Sequence, residues 1–177
     1  MGSARFTVLP LVLGLTDGLL NALTLAAAAI LGGAAGGLSV SLALRVGIAA
    51  LVTAGFTMFV ADYAERRSRL VRSSRQLNLT EPGRLAATSL GRAVAVESAW
   101  ATLVAALASF AGAAAPLLVG ALLPVAAPLT IAGTIALLGF LGWAIGDVLS
   151  GRRWRWTLAM VLGGVAVTAL GVALDIA

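Results

Sequence analysis

An all-helical protein that crosses a membrane five times is the fold this sequence predicts, on three observations. Of its 177 residues, 60% are hydrophobic and 11% charged, with a mean hydropathy of +1.05. The apolar residues come in long runs rather than at the alternating spacing of a half-buried strand or the three-to-four spacing of a surface helix. The positive charge, twelve arginines and no lysine, gathers mainly in the polar stretches between those runs.

Each run is close to the 20 or so residues that a spanning helix needs, or longer. The first covers about residues 6–31. It holds an acid in its middle and lacks a small-residue cleavage pattern, so it reads as a retained span and not as a signal peptide. The paired glycines of "GGAAGGLSVS" break the helix before a second span at about 45–63. Residues 64–97 form the one extended polar stretch, a short basic helical segment carrying Arg66, Arg67, Arg69, Arg72, Arg75, Arg84 and Arg92. It is expected to prolong the second helix, stop near Thr80, Pro82 and Gly83, and restart near Leu85. A third span follows at about 98–123. Pro124 and Pro128 then punctuate a hairpin into a fourth at about 129–149, and Gly151 with the Arg152, Arg153, Arg155 cluster precedes a fifth at about 154–174.

Charge placement predicts orientation. With the amino terminus cytoplasmic, Arg5, the 64–97 segment and the 152–155 cluster all lie inside, leaving only Arg45 outside, at headgroup depth; the carboxyl terminus with Asp175 is then outside. The whole chain reads as one integral-membrane domain. Its alanine, glycine and arginine content suits a bacterial inner membrane. Such a basic excess reports topology and headgroup contact, so nucleic acid is not an expected partner.

Neither cysteine nor histidine occurs, which removes disulfides, thiolate sites, imidazole ligands and histidine relays. No nucleophile–base pair is evident, so an enzyme is not expected, and no resident cofactor is implied. The chemistry must come from a few polar residues inside the spans. Asp17 and Asn21 are four apart and share a helix face, as do Met58 and Asp62. Two such helices could form a site for a divalent cation or a proton, and a thioether favours a softer metal such as Fe(II) over Mg(II) or Ca(II). Structural roles compete. Asp17 could hydrogen-bond a neighbouring helix across a close approach at Gly14 and Gly18. Met58 could be packing, Asp62 could pair with Arg66 one turn on, and Asp147 could pair with Arg152 or Arg153.

Two stretches, "GLTDGLLNALTLAAA" in the first span and "TMFVADYAERR" at the end of the second, resemble the vacuolar iron transporter family. That family has a G-L-x-D-G-L element in its first span and a methionine four residues before the acid of a G-E-Y element; here "ADY" stands in place of "GEY". The stretch "ALASFAGAAAPLLVGALLPVAAP" is similar to the family's alanine-rich third span and its leucine-proline turn. The resemblance implies a homodimer that exports Fe(II), and often Mn(II), against protons, with the metal ions and protons as substrates. Carried over by position, it makes Asp17 the pathway carboxylate, Met58 a soft ligand and Asp62 the acid near the cytoplasmic entrance, with Asn21 on the same pathway.

One departure stands out. Members of that family carry a longer glutamate-rich insert between the second and third spans, whereas residues 64–97 here are arginine-rich, with Glu65, Glu81 and Glu97 as the acids and no methionine. This argues against a glutamate cage that collects metal. It also leaves a second expectation of another class: a non-transporting scaffold whose basic segment, through Arg66, Arg69, Arg72 and Arg75, docks a partner or anionic lipid.

Overall fold

The computed structural model describes residues 3–31, 38–76, 89–123, 127–148 and 152–173, and those residues are almost wholly helical. The five helices are α1 (Ser3–Leu31), α2 (Val40–Gln76), α3 (Ser89–Leu122), α4 (Ala127–Val148) and α5 (Arg153–Ala173). Each contains a stretch long and apolar enough to cross a membrane, and five such helices fit a membrane protein. The glycine break at 32–37, the stop signals at Thr80, Pro82 and Gly83, the restart near Leu85, Pro124, Gly151 and Asp175 lie outside the described residues.

Local chemistry accounts for the helix ends that differ from the sequence expectation. The second helix starts at Val40, ahead of the expected residue 45, because the Ser39 hydroxyl accepts a hydrogen bond from the Leu42 amide at 3.2 Å and caps it. It then runs on to Gln76, roughly 55 Å at the usual helical rise. The arginine-rich stretch, residues 64–97, is described only at its two ends. Its described residues prolong α2 at one end and begin α3, which starts at Ser89, at the other.

Neighbours in sequence run antiparallel. Gly47 and Gly55 of α2 face Phe110 and Ala106 of α3, and Gly139 and Gly142 of α4 face Val161 and Trp156 of α5. Helix α1 runs parallel to α3, touches all four other helices, and supplies half of the core cluster: Leu19, Ala22, Leu23 and Ala26 pack with Ala43, Leu117, Ile131 and Leu138. The outer faces of α2 and α5 stay apolar and exposed, through Ile48, Val52 and Phe56 on one and Leu158, Leu162 and Leu170 on the other. Apolar exposure on this scale suits lipid, not water.

Candidate functional site

The closest helix contact in the site carries the carboxylate. A Cβ on Gly14 would lie 2.1 Å from the Ala105 carbonyl oxygen, and one on Gly18 would lie 2.2 Å from that of Ser109. These two glycines, four apart, let the α1 and α3 backbones touch, as small residues do between spanning helices. Proline helps from the other side: Pro116 inside α3 has no amide hydrogen to give the Gly112 carbonyl, so that turn is free to adapt where Gly112 meets Leu15 and Leu19.

Asp17 lies between the two glycines, half-buried. The Ser109 hydroxyl donates to its Oδ2 at 2.8 Å and also lies 3.3 Å from the Ala50 carbonyl of α2. Ser109 is fully buried, so one hydroxyl hydrogen serves acceptors on two helices. Among the described residues no hydrogen bond reaches the other oxygen, Oδ1. Asn21 follows one turn on, partly buried, with no hydrogen-bond partner among the described residues.

Met58 and Asp62 lie elsewhere. They line a cavity of about 320 Å³ with Leu9 and Pro10 of α1 and Glu65, Arg66 and Arg69 of α2. Arg66 donates through Nε to Asp62 at 2.7 Å and through Nη1 to Glu97 of α3, joining the two helices. Arg69 pairs with Glu65, and Arg72 with the Ser68 hydroxyl. The side chain of Arg75 lies outside the described residues. At the far end of α4, Asp147 pairs with Arg153, whose guanidinium stacks 4.8 Å from the Trp143 ring centre.

The expected set of Asp17, Met58 and Asp62 does not meet within one chain. Asp17 sits at the depth of Ala50, through Ser109; Met58 is eight residues further along α2 and Asp62 twelve, roughly 12 and 18 Å at helical rise. Metal–oxygen bonds of about 2.0–2.6 Å cannot bridge that separation. The cause is the antiparallel packing of α1 and α2, which sets Met58 and Asp62 opposite Leu9 and Pro10 instead. Among the described residues no group of three acids gathers to hold a metal. Ser109 and Glu97 are the partners that spacing alone did not single out. The lone hydroxyl within "ALASFAGAAAP" was the available signal for Ser109.

No protein-family model matches the chain, and no curated protein matches it either.

Proposed function

We propose that the protein exports a divalent transition metal, Fe(II) or Mn(II), from the cytoplasm in exchange for protons, acting as a homodimer in a bacterial inner membrane with its arginine-rich end inside. The observation that carries this reading is Asp17. A charged residue at the centre of a span costs about 2.5–3.5 kcal/mol on insertion scales, while hydrogen bonds between spanning helices average about 0.6 kcal/mol and reach about 1.7 at most. One bond from Ser109 therefore does not offset the carboxylate. The remaining cost falls when a proton or a cation joins it, and Oδ1, which no hydrogen bond reaches among the described residues, is the place for either. A single chain offers that ion few donors, and a two-fold partner doubles them.

The second cluster supports the same reading as a waiting site. The Arg66 guanidinium occupies the two carboxylates, Asp62 and Glu97, that a dication entering past Met58 would take. Arrival of metal then means displacement of a tethered cation, which keeps the acids neutralised when no cargo is present. Proteoliposomes holding the wild-type protein are expected to take up Mn(II) with coupled proton movement, and Asp17→Asn is expected to abolish the flux. Undiminished flux in that variant removes Asp17 from the mechanism.

A docking role for the basic segment has one observation in its favour. Helix α2 is roughly 25 Å longer than the hydrocarbon thickness of about 30 Å, and Arg67, Arg69 and Arg72 on its overhang are exposed. If these residues hold anionic lipid, replacing all three with glutamine removes anionic phospholipid from the co-purified lipid and leaves flux intact. Unchanged lipid content rejects lipid docking.

A further inference from the structure

Several threonine hydroxyls among the described residues follow one pattern. Thr24, Thr53, Thr134, Thr157 and Thr168 each donate to the carbonyl four residues earlier, at 2.7–3.1 Å, the usual way a spanning helix satisfies such a group. Ser98 and Thr102 do not. Their oxygens are buried and have no hydrogen-bond partner among the described residues, and Ser98 is 0% exposed. An unmet buried hydroxyl costs about 1–3 kcal/mol and calls for an explanation.

Their placement supplies one. Ser98, Thr102 and Ser109 follow one another along α3 at spacings of four and seven, on a single stripe. The stripe begins beside Glu97, which holds Arg66, and ends at the hydroxyl that holds Asp17. Thr16 and Thr130 also have no hydrogen-bond partner among the described residues, but Thr16 is on α1 and Thr130 faces Gly120 at the opposite end of α3. Packing along the stripe is uneven. At Gly47 a Cβ would meet Phe110 at 2.9 Å, while at Gly55 it would find ordinary contact, 3.5 Å from Ala106 and 3.9 Å from the Thr102 methyl. The α2–α3 contact is looser at Gly55, beside Thr102, than at Gly47.

We propose that Ser98, Thr102 and Ser109 are the wettable wall of a track along which water carries protons from the arginine-rich end to Asp17. The inference rests on Asp17 being the proton-exchanging group of the proposed exporter. In the conformation described here the track is closed around Ser98 and Thr102, and their unmet hydroxyls bias it toward opening. Once water enters, each hydroxyl gains the partner it lacks. From Thr102 to Ser109 the rise is roughly 10 Å, a gap that about three waters cross at hydrogen-bond spacing.

The absence of native cysteine makes the test direct. Single variants Ser98→Cys and Thr102→Cys, with Ala108→Cys and Ala113→Cys as buried comparators on the same helix, are reacted in proteoliposomes with a charged, membrane-impermeant methanethiosulfonate reagent. Thiol reactivity follows access to water, so the first pair is expected to label about tenfold faster than the second or more. The same contrast is expected in an Asp17→Asn background, where transport is absent. Labelling of positions 98 and 102 as slow as that of 108 and 113 overturns the track, even if Mn(II) flux is intact. Fast labelling in a protein that moves no metal leaves the track standing and rejects the exporter. If Ser98→Cys does not fold, Thr102→Cys alone decides.

Discussion

Replacing Gly18 with alanine adds one methyl group at the contact on which the site depends. The new Cβ would sit 2.2 Å from the Ser109 carbonyl oxygen and 2.7 Å from the Ala113 amide nitrogen, against 3.4 Å for ordinary contact. Both obstacles are backbone, so no side-chain rotation relieves them and α1 must withdraw from α3 by about 1.2 Å. The Ser109–Asp17 bond, now 2.8 Å, then stretches to roughly 4 Å and is lost. Overpacking of this kind costs about 1–3 kcal/mol, and the broken bond adds about 0.6. Gly133→Ala is the matched comparator, because a Cβ there meets nothing within 4 Å, so the better helix propensity of alanine leaves stability unchanged or raises it by up to about 1 kcal/mol. Unfolding in detergent, followed through the tryptophan fluorescence, is expected to separate the two variants by about 2–4 kcal/mol. If they unfold together, α1 and α3 do not touch at Gly18 and the placement of Asp17 against Ser109 fails with it.

Outcomes for three further variants follow from the ion pairs. Arg66→Gln frees Asp62 and Glu97 of their shared cation; it is expected to lower stability by about 1–3 kcal/mol and to tighten Mn(II) binding measured by calorimetry, and binding no tighter than in the wild type means that these acids are not a cation site. At the other end of α4 the Asp147–Arg153 pair is about half exposed on both sides, so Asp147→Asn is expected to shift the unfolding free energy by less than about 1 kcal/mol. Arg153→Gln also loses the stacking on Trp143 and is expected to cost about 0.5–1 kcal/mol more; equal effects from the two variants would show that the ring contributes nothing.

Helix number and type were legible in the chain because they are one-dimensional properties. A run of apolar residues about 20 long has few alternatives to a spanning helix, since hydrocarbon leaves backbone groups no other partner. Closeness of α1 to a neighbour was legible too, in the four-residue spacing of Gly14 and Gly18, as were the pairing options of Asp62 with Arg66 and Asp147 with Arg153. The tertiary structure alone decided which groups share a depth. Asp17 and Ser109 are 92 residues apart and meet because two glycines let one backbone rest on another. Met58 and Asp62 could complement Asp17 as ligands but lie roughly 12 and 18 Å away along the helix axis, because α1 and α2 run in opposite directions and that register follows from packing against α3. Spacing along one helix specifies a face, whereas which faces meet, and at what height, depends on contacts between helices that no single run encodes.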